Sequence, residues 1–285
     1  MKQLSLFEEQ VSHVAPNVAS VPQYSPLRYP GGKTWLYPFA KKWLMNKKNK
    51  TLIELFAGGA SVGLAAAIEG WVSEVILVEK DEYVASLWQA IANDDAEWLA
   101  NKIIKFDFTE ENIDKALAEE SKSIPDKAFA LILNNRISRG GILAHGAGRI
   151  KHGENGKGLK SRWYPKTLQQ RILRIAQHKD RLRIISKDAF TLIDKYINNT
   201  DAMFFIDPPY TVAGRRLYTY SEINHEYLFS IMKNSKSDFL VTYDDTEEIE
   251  NYAAKYGFEF ERVLMKTTHH IKKYELLISP DLSWL

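Results

Sequence analysis

Cysteine is absent from this 285-residue chain. That excludes disulfides, thiolate metal sites and any reaction through a cysteine nucleophile. Long hydrophobic runs are missing too. No stretch approaches the roughly 18 apolar residues of a membrane-spanning helix, and no signal peptide opens the sequence, so a soluble, intracellular protein is expected. Histidines number seven, and the His269-His270 pair has no third ligand at a familiar spacing, so no metal is expected. The formal net charge is only +2, too small to name a partner. Its distribution says more. Between Asn135 and Lys166 lie Arg136, Arg139, Arg149, Lys151, Lys157, Lys160, Arg162 and Lys166 against the single acid Glu154, so the rest of the chain is net acidic.

Short apolar runs alternate with helical patterns along most of the chain. Thr51–Phe56, Glu74–Glu79, Arg181–Ser186, Ala202–Ile206 and Phe239–Tyr243 read as strands buried on both faces. Ser61–Glu69, Tyr83–Ala92, Lys166–His178, Phe190–Ile197, His225–Lys233 and Thr246–Tyr256 carry helical spacing. This alternation predicts an α/β fold with a mostly parallel sheet and helices on both faces. Phe258–Lys266 and Ile271–Ser279 have no helix between them and predict an antiparallel C-terminal hairpin at one edge. Residues 1–25 lack a sustained period and read as a flexible arm. Residues 94–175 are helical at both ends, with seven glycines in a basic middle that cannot build its own core. They read as an insertion, leaving 26–93 and 176–285 as the main domain.

Ligands of open α/β sheets sit beyond the carboxyl ends of the strands. Four such ends carry chemistry here. Residues Glu54 to Ser61 form a Gly-rich strand-to-helix turn in which Gly58 lets a ligand approach the backbone and Glu54 is placed for a cationic group. The turn lacks the Lys-Ser/Thr of a phosphate-binding P-loop. Glu79, about 20 residues on, is placed to accept ribose hydroxyls, with Asp81 in reserve. Asp188 either reads an aromatic amine or caps the helix that follows. The fourth end is Asp207-Pro208-Pro209-Tyr210, which average residue usage would produce in about one chain of this length in a thousand.

An aromatic exocyclic amine is a poor nucleophile because its lone pair is delocalised. The Asp207 carboxylate and the Pro208 carbonyl, accepting its two protons, would localise that lone pair, while the prolines fix the backbone. Tyr210 would stack on the base, a contact worth roughly 1–3 kcal/mol. A base reaching such a site must leave the duplex.

With Leu27-Arg28-Tyr29-Pro30-Gly31-Gly32-Lys33 ahead of these elements, and Tyr220-Ser221 and His225 through Leu228 behind them, the chain resembles the Dam-type DNA adenine-N6 methyltransferases from about residue 26 to 280. The resemblance implies a Rossmann-like methyltransferase sheet with an inserted helical, Gly-rich target-recognition module. It implies S-adenosyl-L-methionine as cofactor, held by Tyr29, Lys33, Glu54, Phe56, Gly58, Glu79, Asp188 and Phe190. Asp207, Pro208 and Tyr210 would be the catalytic group, acting by direct methyl transfer on double-stranded DNA. Such enzymes serve bacteria, restriction–modification systems or prophages, which implies a cytoplasmic, nucleoid-associated monomer.

The recognition segment departs from the family. GATC readers carry an aromatic-Asn-Gly-Leu-x-Arg string after the Asn-Arg pair, whereas here Asn135-Arg136 is followed by Ile137-Ser138-Arg139-Gly140-Gly141-Ile142-Leu143-Ala144. A different or relaxed target is expected, with Arg136, Arg139, Arg149, Lys151, Lys157, Lys160 and Arg162 contacting DNA mainly at phosphates. Gln3-Leu4-Ser5-Leu6-Phe7 matches the peptide by which bacterial proteins dock on the replication sliding clamp; Gln3, Leu6 and Phe7 would be its anchors. Two alternatives stand beside this reading: methylation of cytosine N4 in DNA or guanine N2 in RNA, and a non-catalytic, clamp-tethered DNA-binding protein.

Overall fold

Eight strands form one sheet in a computed structural model that describes residues 13–45, 47, 50–120, 123–144, 146–153, 156–210, 217–265 and 273–285. They are β1 (His13–Val14), β2 (Thr51–Glu54), β3 (Glu74–Glu79), β4 (Leu182–Ser186), β5 (Ala202–Ile206), β6 (Asp238–Asp244), β7 (Glu259–Met265) and β8 (Lys273–Ser279). Their order across the sheet is β1-β7-β8-β6-β5-β2-β3-β4. Among the described strands β8 alone runs against its neighbours, so the sheet is mostly parallel with the expected antiparallel hairpin.

Alternation along each strand divides the apolar side chains between two faces. Leu52, Val75, Leu77, Met203 and Phe205 point into one core, under α1 (Tyr37–Met45), α2 (Ser61–Glu69) and α3 (Glu82–Ala92). Ile53, Ile76, Val78, Phe204 and Ile206 point into the other, under α8 (Phe190–Tyr196), α9 (His225–Met232) and α10 (Glu247–Tyr256). Strands covered on both sides need no polar alternation, which is why β5 reads Ala-Met-Phe-Phe-Ile and is buried throughout. Caps set the helix ends. Asp81 accepts the N–H groups of Tyr83 and Val84 at the start of α3, and Gly70 closes α2 in the left-handed conformation at φ 68°.

The segment 94–175, expected to be an insertion, supplies α4 (Ala96–Lys105), α5 (Glu110–Ala118), α6 (Ile124–Ile137) and α7 (Pro165–Ala176). Helix α6 packs along α3, and α4 along α7, so its helical part extends the first core. The basic loop between α6 and α7 is pinned near its base by an antiparallel bridge between Ser138 and Arg149.

The described part of the N-terminal arm is seated on the body, not loose. His13 and Val14 pair with Val263 and Leu264, making β1 a parallel edge strand outside the hairpin, and Ala15 and Tyr24 are buried. The docking peptide Gln3, Leu6 and Phe7 lies outside the described residues. Among the described residues no helix is long and apolar enough to cross a membrane.

Candidate functional site

The chain runs outward from β2 through β3 to β4, then returns to the other side of β2 as β5. At this reversal the two following loops part in opposite directions and leave a crevice at the strand ends. Glu54 ends β2, opposite Phe205 in β5, and Asp207 follows β5 directly. Glu79 ends β3 and Asp188 follows β4. The crevice is an open cleft, and Tyr29, Lys33, Glu54, Phe56, Gly58, Glu79, Asp188, Phe190 and Asp207 all line it. Residues far apart in sequence are thus brought to one place by strand order alone.

On the β2–β3–β4 side the cleft is acidic and aromatic. Glu54 is 3% exposed, and its Oε2 accepts the Gly63 N–H at 2.7 Å. Burial pushes its carboxyl up to about 8, reinforced by the Asp207 and Glu79 charges and opposed by the Gly63 N–H and Lys33. Glu79 Oε2 accepts the Gly58 N–H and its Oε1 the Asp81 N–H, both at 2.8 Å. Burial raises this carboxyl to about 7 against those two bonds. Asp188 Oδ1 accepts the Phe190 N–H at 3.0 Å while Oδ2 pairs with Lys80 at 2.9 Å, so both oxygens already have a partner. The ring of Phe190 stacks on Tyr227.

The glycines of the β2 turn have a cause inside the protein. A Cβ on Gly58 would stand 2.6 Å from the Tyr29 ring, and one on Gly59 2.8 Å from Tyr29 Cβ. The turn is therefore open to Tyr29, whose ring stacks on Tyr218 at 5.6 Å, while the Tyr218 hydroxyl donates to the Pro30 carbonyl at 2.9 Å.

On the β5 side an ion cluster surrounds Asp207. Lys33 is 3% exposed; its ammonium lies 2.8 Å from Asp207 Oδ1 and 3.7 Å from Glu275 Oε2, and donates to the Gly31 carbonyl at 2.7 Å. Thr242, on β6, donates to Asp207 Oδ1 at 2.9 Å. Burial would lower the Lys33 ammonium, but the two carboxylates outweigh it and leave it raised. Burial raises the Asp207 carboxyl despite Lys33. The Tyr210 hydroxyl donates to Glu275 at 2.8 Å, and its ring stacks on Tyr243, which bonds His225 Nδ1 at 2.8 Å. Sequence reasoning missed Tyr218, Thr242 and Glu275, whose neighbourhood no local motif marks.

The predicted DNA-contacting residues divide. Arg139, Lys151, Lys157 and Lys160 are exposed and Arg162 is partly so. Arg149 is exposed but paired with Asp114 at 2.5 Å. Arg136 departs from the expectation: it is 5% exposed and its Nη2 donates to the Pro26 carbonyl. Next to it, the Asn135 amide donates to the carbonyls of Arg28 and Gly141 and its oxygen accepts the Arg28 N–H. The Asn-Arg pair thus holds the 26–33 loop against the insertion, because the last turn of α6 faces that loop and not the solvent. Among the described residues no group of three or more His, Asp or Glu could hold a metal ion.

Residues 29–271 match the family described as D12 class N6 adenine-specific DNA methyltransferase. No curated protein matches the chain. Solved structures similar to it include an rRNA methyltransferase, aviRa, from Streptomyces viridochromogenes (11% identical, 87% of this chain and 83% of that one, TM-score 0.40). A putative RNA methyltransferase, PH1948, from Pyrococcus horikoshii is 11% identical over 92% of both chains, with a TM-score of 0.39. Precorrin-6y C5,15-methyltransferase from Geobacter metallireducens GS-15 is 8% identical over 85% of both, at 0.37. Likenesses this distant carry no argument; the strand order does.

Proposed function

The chain belongs to the D12 class of N6 adenine-specific DNA methyltransferases, and from that premise we propose that the two sides of the cleft are a donor half and an acceptor half. S-adenosyl-L-methionine would lie on the Glu54–Glu79 side and an adenine turned out of the duplex on the Asp207–Tyr210 side. The donor set suits the cofactor. Glu54 is a buried acid that a ligand ammonium would ionise, Glu79 keeps lone pairs for ribose hydroxyls, and Tyr29, Phe56 and Phe190 offer aromatic and apolar walls. When bound, the cofactor supplies a methyl group activated by sulfonium.

The chain's own residues do the rest. Asp207 and the Pro208 carbonyl accept the two N6 protons, which concentrates the nitrogen lone pair and aims it at the donor half. Tyr210 stacks on the base, its ring held by the hydroxyl bond to Glu275. Once the methyl is transferred the amine sheds one proton, and the Asp207 carboxylate, raised by burial, can take it. The observation that carries this reading is the placement of Glu54 and Asp207 at the ends of adjacent strands at the sheet's reversal. Asp207→Ala should keep cofactor and DNA binding and lose methyl transfer; retained turnover would overturn the mechanism. Mass spectrometry of nucleosides should find N6-methyladenine, whereas N4-methylcytosine or a methylated RNA guanine would reassign the acceptor. An intact chain that failed to bind S-adenosylmethionine would point instead to an accessory DNA-binding role.

Specificity follows the altered segment after Arg136. Exposed cations on a glycine-rich loop suit phosphate contacts better than base-edge readout, so the target is relaxed or differs from GATC. Sequencing the methylated positions on random DNA tests this, and methylation confined to GATC would end it. The peptide at Gln3, Leu6 and Phe7 would bring the enzyme to the sliding clamp; pull-down by the full-length chain and not by its Leu6/Phe7 double alanine variant is the expected result.

A further inference from the structure

Glu275 stands on β8, four residues past the end of the family match. It is 6% exposed, and the β6–β8 register sets it opposite Asp244. Its Oε2 accepts the Tyr210 hydroxyl at 2.8 Å and lies 3.7 Å from the Lys33 ammonium. That ammonium is 2.8 Å from Asp207, donates to Gly31 at 2.7 Å and sits 4.9 Å above the Tyr210 ring. Two carboxylates therefore share one cation. Asp207 Oδ1 carries both Lys33 and the Thr242 hydroxyl, so Oδ2 is the oxygen left to accept a further donor, and the Lys33 charge weakens the whole carboxylate as an acceptor.

Resting on the reading of Asp207 as acceptor of the N6 protons, we propose that Glu275 is a positioning residue that fixes the Tyr210 ring and takes over Lys33 when the amine arrives, turning Asp207 from ion-pair partner into amine acceptor. The move is short, since Lys33 already lies within ion-pair distance of both carboxylates. It leaves two negative charges and one positive beside a nitrogen that gains positive charge as it is methylated. Without Glu275 the ammonium would lose its second carboxylate and stay with Asp207, and the base-stacking ring would lose its anchor. The other groups facing Asp207 are Glu54 from β2, Tyr243 from β6, and the Tyr29, Tyr210 and Tyr218 phenols. Burial keeps those four phenols protonated through the working range, so among these neighbours the charges that set Asp207 are Lys33 and Glu275, with Glu54 joining them once a ligand ammonium ionises it.

The test compares Glu275→Gln with Tyr210→Phe in the full-length protein, reading kcat, KM for duplex DNA and the pH profile of kcat. Catalysis needs ionised Asp207, so activity falls on the acid side, and the Glu275 charge holds that limb up. Glu275→Gln should lower kcat roughly tenfold or more with KM little changed, and move the acid limb to lower pH. Tyr210→Phe should lower kcat and leave the limb in place. An unmoved limb in Glu275→Gln, or a kcat within twofold of wild type, overturns the proposal. Melting temperature and cofactor calorimetry check folding. Should the Gln variant not fold, Glu275→Asp replaces it: reduced kcat with an unmoved limb supports the assignment, and a shifted limb refutes it. Asp207→Asn separates the two layers. Retained turnover there sinks the acceptor reading itself, whereas lost turnover with an unmoved Glu275→Gln limb sinks only the role of Glu275.

Discussion

Replacing Glu54 by glutamine should remove a pH dependence from the protein's stability. The buried carboxyl holds its proton up to about pH 8, while in the unfolded chain it releases it near 4.5. Between those values the folded state binds more protons than the unfolded one. Stability from this group is therefore complete below about pH 4.5 and declines as pH rises to about 8, after which it is flat. At about 1.4 kcal/mol per pH unit, the interval corresponds to roughly 3–5 kcal/mol. Glu79, raised to about 7, adds a slope of its own, but it is present in both proteins and cancels in the difference. Urea unfolding of both proteins at five pH values from 5 to 9, with a common denaturant slope, measures that difference. The wild type should lose ground to Glu54→Gln up to about pH 8 and then hold. Parallel curves, or a wild type that gains with pH, would show that Glu54 is ionised by Lys33 in the folded cleft and refute the reasoning. A second readout follows: cofactor binding at pH 7 should release a proton from Glu54, seen as a dependence of the binding heat on buffer.

Gly63→Ala would place a Cβ 2.4 Å from Glu54 Oε2 and 2.7 Å from Leu77 Cδ2, costing about 1–3 kcal/mol by overpacking. Thermal unfolding should show that loss and calorimetry a weaker cofactor. Arg136→Ala should destabilise by about 2 kcal/mol, since it strips the buried Pro26 carbonyl of its partner; denaturant titration checks this, and DNA affinity should fall less than stability does. Lys157→Ala/Lys160→Ala should do the opposite, leaving the unfolding midpoint alone and reducing the slope of log affinity against log salt by about 2.

What could be read from sequence was local. An apolar run ending in an acid is a strand end wherever it lies, so Glu54, Glu79 and Asp207 were legible before the strands had an order. Their meeting was implied only through the family resemblance, because physically it depends on β5 returning beside β2. Glu275 opens the buried part of a strand, Lys-Tyr-Glu-Leu-Leu-Ile-Ser, where nothing local says which way the acid faces; the antiparallel register decides. Asn135-Arg136 misled because a basic residue beside glycines looks the same whether it faces solvent or a neighbouring loop. Gly58 was read as room for a ligand; it lines the cleft, and the lack of a Cβ there also admits the Tyr29 ring. Two residues, His13 and Val14, are too short a strand for any periodicity to reveal.

The adjacency of β2 and β5 separates two kinds of change. Neighbouring strands stand about 4.8 Å apart whatever their loops contain, so the span between the proposed donor and acceptor halves is set by backbone hydrogen bonds in the sheet. Among the described residues the basic loop is joined to the body by helices packed on α3, by the Asn135 clamp on residue 28 and by Leu143 at the cleft. Its exposed residues, Lys157 and Lys160 among them, can be exchanged or recharged without touching β2 or β5. On the proposed reading, a lineage built on this plan could change which DNA it marks by drift in one exposed loop, while the transfer distance stays out of reach of that drift.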